Sequence, residues 1–208
     1  MSDPRKAIVE RGYDALGQTY LSWASRITSD PRTRMLAAFS ARLAGDARIL
    51  DLGCGAGLPS TITLAERFDV TGVDISQGQI DSARRNVPTA TFIKGDIAEV
   101  EFAPASFDGV TAFYAVSHLP RAEHERLFKR VADWLVPGGL FLATLGAHDS
   151  PDWVGPWLGR PMFFSSWDAA VNRGLVEGAG FQVLIDDVID TLEPDGPVPF
   201  LWVLASRR

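Results

Sequence analysis

The chain is expected to fold as an α/β protein: a doubly wound sheet of seven strands, mostly parallel, with an antiparallel hairpin at its C-terminal edge and a helical cover at its N-terminus. Three observations predict this. From residue 47 onward apolar runs alternate with segments of helical period, the pattern of parallel strands joined by right-handed helical crossovers. The first run, Ile49-Leu50-Asp51-Leu52, leads straight into Gly53-Cys54-Gly55-Ala56-Gly57, the glycine-rich strand-to-helix turn of a nucleotide site. A length of 208 residues and a 46% hydrophobic fraction suit one α/β domain with an ample core.

Pro4 can open the first helix, along which Ala7, Ile8, Tyr13, Leu16, Tyr20 and Trp23 recur at roughly helical spacing, although Gly12 and Gly17 weaken it. A second helix is expected over Pro31 to Leu43, so residues 1–45 form a cover across the top or flank of the sheet. Strands follow near 47–52, 69–74, 90–94, 108–114, 139–145, 181–189 and 198–205, with helices near 58–67, 76–86, 120–135 and 166–179. Pro137-Gly138-Gly139 is a turn that stops one helix and lets the fifth strand begin. The ligand-binding core thus runs 46–145, and 168–208 supplies the last helix and the edge strands.

Residues 146–167 break the rhythm, being rich in Pro, Gly and Trp with little periodicity. Trp153, Trp157, Met162, Phe163, Phe164 and Trp167 either line an apolar substrate pocket beyond the strand ends or pack this insert onto the domain.

The spacing of the glycine turn selects the ligand. A dinucleotide turn reads G-x-G-x-x-G, with a phosphate at the helix N-terminus. Here the run is D-x-G-x-G-x-G, and an Asp51 carboxylate aimed at the pyrophosphate position suits a ligand carrying positive charge, such as the ammonium and sulfonium of S-adenosylmethionine. A second run, Phe68 to Val73, ends in Asp74, at the offset of about twenty residues where an acid meets a ribose diol. A third, Ala90 to Gly95, ends in Asp96-Ile97. Acids at strand ends commonly cap the next helix, but three in succession form a set.

Asp51-Leu52-Gly53-Cys54-Gly55-Ala56-Gly57 resembles the first motif of the class I S-adenosylmethionine-dependent methyltransferases, bacterial small-molecule type, and Leu135 to Gly139 resembles that family's turn before its fifth strand. The resemblance is strong over Arg48 to Leu145. It implies a Rossmann-like sheet, S-adenosyl-L-methionine as methyl donor with S-adenosyl-L-homocysteine as product, and an N-terminal segment that closes over the donor. It also implies that Asp96 takes the adenine amino group while Ile97 packs on the ring. The donor-binding set is then Asp51, Gly53, Gly55, Asp74, Ile75, Asp96, Ile97 and Phe113, with Tyr13 and Tyr20 reaching the donor's carboxylate or packing in the core.

The fourth strand leads into Phe113-Tyr114-Ala115-Val116-Ser117-His118-Leu119-Pro120, the strand end that faces the methyl group in the resembling family. His118 is a candidate base because its ordinary pKa lies near working pH; it is equally a candidate structural group at a helix start. Tyr114 orients the acceptor, bonds the donor or belongs to the core. His148, beside Asp149, is a second candidate acid/base, whereas His124 falls on a charged helical face expected to be solvated. No metal site is expected, since the three histidines show no ligand spacing with any cysteine. The single cysteine, Cys54, excludes an internal disulfide and reads as a small filler of the tight turn.

A net charge of −6 without a basic stripe counts against a nucleic-acid partner. No apolar signal core and no bilayer-length run are evident, so the expectation is a cytoplasmic protein without a membrane partner. No Asn/Asp-Pro-Pro-Tyr run follows the fourth strand, which separates the chain from the nucleic-acid amino methyltransferases. The expected activity is methylation of an oxygen or nitrogen of a small, partly apolar acceptor. The alternatives are a protein that binds the donor without methyl transfer and a nicotinamide-dependent oxidoreductase.

Overall fold

A computed structural model describes residues 3–208, apart from the side chain of Gln18. The elements run α1 (Pro4–Leu16), α2 (Gln18–Ala24), α3 (Arg32–Ser40), β1 (Arg48–Leu52), α4 (Ser60–Ala65), β2 (Asp69–Asp74), α5 (Gln77–Asn86), β3 (Thr91–Lys94), β4 (Phe107–Ala112), α6 (His124–Trp134), β5 (Leu135–Gly146), β6 (Ser150–Trp157), β7 (Arg160–Ser166), α7 (Ala169–Gly178), β8 (Phe181–Glu193) and β9 (Gly196–Arg207). Two single 3₁₀ turns, Val116–His118 and Arg121–Glu123, separate β4 from α6.

Seven strands form one sheet in the order β3-β2-β1-β4-β5-β9-β8. The first five are parallel and β9 and β8 are antiparallel, as expected for the doubly wound sheet with its edge hairpin. β1 lies inside the sheet between β2 and β4 and is buried on both faces, which explains why it reads as a continuous apolar run. Leu50 and Leu52 pack on one face with Leu127, Phe128 and Val131 of α6 and Val176 of α7. Ile49 points to the other face, onto Met35, Leu36 and Phe39 of α3 and Leu64 of α4. With alternate residues committed to opposite cores, a one-residue slip of β1 would expose nothing but would misplace the glycine turn that follows it.

Three expectations are corrected. The first helix does not run unbroken to Trp23: it stops at Gly17, whose backbone turns to φ 45°, and α2 begins afresh. Gly12 does not break it, because a Cβ there would lie 2.7 Å from Met162 Cε, so its absence is what lets β7 pack on α1. The insert is not irregular. It forms a separate two-stranded sheet, β6 with β7, in which Pro156 faces Pro161. Proline lacks the N–H of a central strand but is tolerated where both strands are edges, so the sequence looks structureless while the backbone is paired. Finally, β5 starts at Leu135 rather than 139, with a bulge that absorbs Pro137-Gly138-Gly139. Among the described residues no helix is long and apolar enough to cross a membrane.

Candidate active site

At the carboxyl ends of the central strands lies a cavity lined by Gly53 and Gly55 after β1, Asp74 and Ile75 after β2, Asp96 and Ile97 after β3, and Phe113, Tyr114, Ala115, His118 and Leu119 after β4. Lys6, Val9 and Tyr13 of α1 and Tyr20 of α2 close it from above, and Gln79 of α5 completes the wall. This is where ligands bind in open α/β sheets. The cover is pinned by polar contacts: Asp14 accepts from Ser76 Oγ (2.5 Å) and Gly78 N (3.1 Å), and Glu10 pairs with Lys94 (2.7 Å).

The turn is held by two N–H groups, of Gly53 and Cys54, that donate to Val73 O at 2.8 and 3.1 Å. Gly53 has φ 71°, and a Cβ on it would lie 2.3 Å from Ala115 Cβ, so the exit of β4 rests directly on the turn. Asp74 accepts one backbone N–H on each oxygen, from Gly55 (2.9 Å) and Ser76 (2.9 Å). Each oxygen keeps a lone pair. Burial raises this carboxyl to about 6, against the pull of those two bonds.

Asp51 departs from its expected role. It does not line the cavity; it is 2% exposed and accepts from Thr61 Oγ1 (2.6 Å) and Thr111 Oγ1 (2.7 Å). Burial pushes its pKa up and the two hydroxyls offset that in part. Its carboxylate ties the first strand to α4 and β4 beneath the turn.

Asp96 accepts from Ala98 N (2.9 Å) and pairs with Lys6 Nζ (2.8 Å), which also reaches Glu123 (2.6 Å). Lys6 is only 4% exposed. Sequence reading missed it, yet a signal exists: Lys6, Val9, Tyr13 and Leu16 fall at i, i+3, i+7 and i+10, so the lysine sits on the buried stripe of α1.

His118 is fixed as one tautomer. Phe163 O can only accept, so Nδ1–H donates to it (2.9 Å), and Nε2 accepts from the Tyr13 hydroxyl (2.8 Å). Burial lowers the histidine to about 4, partly countered by the Phe163 bond, so it is neutral at ordinary pH. Burial likewise raises Tyr13 far above its ordinary value. Tyr13 is therefore committed to His118 rather than free for a donor carboxylate. Tyr20 stands edge-on to Tyr13 at 5.4 Å, and burial raises it too, with the charge of Arg32 pulling the other way. Arg32, a second residue that sequence reading missed, lies over the rings of Phe113 (5.4 Å) and Tyr114 (5.1 Å).

Tyr114 takes φ 57°, a left-handed conformation unusual for a side chain of its size. Its hydroxyl lies 3.5 Å from Thr191 Oγ1 of β8, and burial pushes its pKa up to about 12.

Other candidates fall away from the cavity. His148 is exposed in the loop after β5. His124 is not solvated: it is 1% exposed, and its Nε2–H donates to Leu119 O (3.2 Å). None of the six insert side chains lines the cavity. Trp153 is 46% exposed, Trp157 packs against Tyr13, Tyr20 and Trp23, Met162 and Phe163 bury against Val9 and Leu16, Phe164 lies tilted against His118 at 4.7 Å, and Trp167 donates to Arg121 O. The hairpin is thus a clamp on the cover. Cys54 is buried in the turn, and burial raises its thiol well above the ordinary value.

Residues 49–139 match a family model described as a methyltransferase domain. Trans-aconitate 2-methyltransferase of Paracidovorax citrulli is 39% identical over 117 residues, covering 53% of this chain and 44% of that protein. Phosphatidylethanolamine N-methyltransferase of Cereibacter sphaeroides is 32% identical over 138 residues, covering 61% and 65%. The chain spans less than half the length of the trans-aconitate relatives that it matches. Among solved structures, 1,6-didemethyltoxoflavin-N1-methyltransferase of Burkholderia thailandensis, with bound 1,6-didemethyltoxoflavin and S-adenosylhomocysteine, has the same fold: TM-score 0.73 at 19% identity, covering 100% of this chain and 91% of that one.

Proposed function

We propose that this chain, whose residues 49–139 are a methyltransferase domain of the class I S-adenosylmethionine-dependent family, moves a methyl group from S-adenosylmethionine to an oxygen or nitrogen of a small, partly apolar molecule. The observation that carries the reading is the meeting of three strand ends, Gly53 after β1, Asp74 after β2 and Asp96 after β3, in one cavity. The residues fit the donor. Both free lone pairs of Asp74 can accept from a ribose diol, Asp96 can accept from the adenine amino group, and Ile75 and Ile97 supply apolar surface beside it. Gly53 and Gly55 leave room for the ligand at the main chain. Tyr20, which lines the cavity, provides a hydroxyl for the donor's carboxylate, the task expected of Tyr13 and Tyr20, and Arg32, paired with Asp30 and lying over the Tyr114 ring, adds positive charge behind that wall. Asp51 serves from below by holding the turn.

When bound, the donor supplies an activated methyl group on a sulfonium. The chain's part is alignment and proton handling. Tyr114 and Phe113 wall the cavity under Arg32, and the Tyr13 hydroxyl with His118 Nε2 forms a neutral pair at the end of β4. His118 Nε2 is the atom that takes a proton, through the Tyr13 hydroxyl. A histidine lowered to about 4 is a weak base, so it would take that proton late, once the attacking atom of the acceptor has become acidic. A small acceptor suits a cavity roofed by α1 and α2, which the β6–β7 hairpin clamps in place.

The test is incubation of the purified chain with methyl-labelled S-adenosylmethionine and a panel of small phenols, carboxylates and heteroaromatic amines. Labelled product together with S-adenosylhomocysteine supports the reading. Donor binding without label transfer to any class of acceptor contradicts it.

A further inference from the structure

We infer that Lys6 is a positioning residue for the methyl donor: through its ion pair it orients the Asp96 carboxylate for the adenine amino group, and so joins donor binding to the seating of α1. The inference rests on the reading that Asp96 receives that amino group.

Lys6 comes from the cover helix, not from the sheet, yet its ammonium is 4% exposed and lies between two carboxylates, Asp96 Oδ2 at 2.8 Å and Glu123 Oε2 at 2.6 Å, with Glu99 Oε1 at 3.9 Å. Burial alone would lower its pKa; the bonds to Asp96 and Glu123 outweigh that, so it stays charged. Arg126 also reaches Glu123, at 3.5 Å, but is half exposed and outside the cavity wall. Without Lys6, Asp96 and Glu123 face each other in a partly buried place with no enclosed cation. That arrangement leaves Asp96 Oδ2 without the ammonium that fixes its direction, and two carboxylates that repel each other turn it away from the amino group.

Orientation follows from the same contacts. Asp96 Oδ1 is bound by Ala98 N, so Oδ2 is the oxygen turned to Lys6 and to the cavity they both line. An adenine amino group adds to Oδ2 beside the ammonium rather than replacing it, since a carboxylate oxygen accepts more than one hydrogen bond. Lifting α1 removes Lys6 from Asp96, so an open cover carries a weakened adenine site.

The experiment is calorimetric titration of the full chain with S-adenosylhomocysteine, for the wild type, Lys6→Met, Lys6→Arg, Asp96→Asn and the Lys6→Met/Asp96→Asn double variant. Lys6→Met is expected to weaken binding about tenfold or more, Lys6→Arg to stay within about threefold, and Lys6→Met to add little in the Asp96→Asn background, as coupled neighbours do. Wild-type-like affinity of Lys6→Met, or a loss that simply adds to that of Asp96→Asn, overturns the inference, because a purely structural lysine would give one or the other. Should Lys6→Met not fold, Lys6→Gln, which keeps hydrogen bonding without charge, is expected to show the same loss, and full affinity there overturns it equally. A wild type that binds no S-adenosylhomocysteine overturns the donor reading itself, which distinguishes that failure from the failure of Lys6.

Discussion

Replacing Asp74 with Asn separates donor binding from stability. Each Asp74 oxygen holds one backbone N–H and keeps one lone pair, which the proposed donor site gives to a ribose hydroxyl. Hydrogen bonds to a charged group contribute about 1.5–3 kcal/mol each, so losing one acceptor and the charge costs about 3 kcal/mol of donor affinity, or roughly a hundredfold. Stability should move differently. The folded carboxyl titrates near 6 against an ordinary 3.8, so between those values the native state binds more protons than the unfolded chain. Stability therefore falls as pH rises from about 4 to 6 and stays reduced above, by about 3 kcal/mol for a shift of about two units. Asn removes that penalty, while its amide N–H₂ facing one backbone N–H restores a cost of about 1–3 kcal/mol. The expected outcome at pH 7 is an unliganded Asp74→Asn protein as stable as wild type or up to about 2 kcal/mol more stable, with roughly hundredfold weaker binding of S-adenosylhomocysteine. Titration calorimetry from pH 5 to 8 and urea unfolding check both. Wild-type affinity should also drop about fivefold from pH 6 to 5, where the carboxyl protonates. Affinity that is flat across this range, or a variant that binds within threefold of wild type, would refute the ribose assignment.

Tyr13→Phe and His118→Gln should slow methyl transfer at least about tenfold while leaving S-adenosylhomocysteine affinity within about threefold, and nitrogen NMR of the wild type should show a neutral imidazole protonated on Nδ1 from pH 5.5 to 8. Thr111→Val removes one of the two hydroxyl partners of buried Asp51 and should destabilise the fold by about 1–3 kcal/mol in urea unfolding. Trp157→Ala, in the stack with Tyr13, Tyr20 and Trp23, should cost about 3 kcal/mol, whereas the half-exposed Trp153→Ala should stay within about 0.5 kcal/mol.

The central parallel strands were legible because β1 and β4 are buried on both faces and read as apolar runs, and two residues of the cavity wall, Asp74 and Asp96, were legible because they end consecutive runs. What escaped was set by partners distant in sequence. Asp51 looks identical whether it faces a ligand or two threonines, and only the meeting of β1 with α4 and β4 decides. His124 shares a charged segment with its neighbours but falls on the buried face of α6. The insert hid its strands behind three prolines that edge strands tolerate. Lys6 lines the cavity and Arg32 backs its wall only because α1 and α3 lie against the strand ends.

The most direct test of the donor site is titration of the full chain with S-adenosylhomocysteine and, in the same buffer, with oxidised nicotinamide adenine dinucleotide. The account predicts micromolar binding of the first and none of the second; binding of the dinucleotide, or of neither, would contradict the placing of ribose on Asp74 and adenine on Asp96.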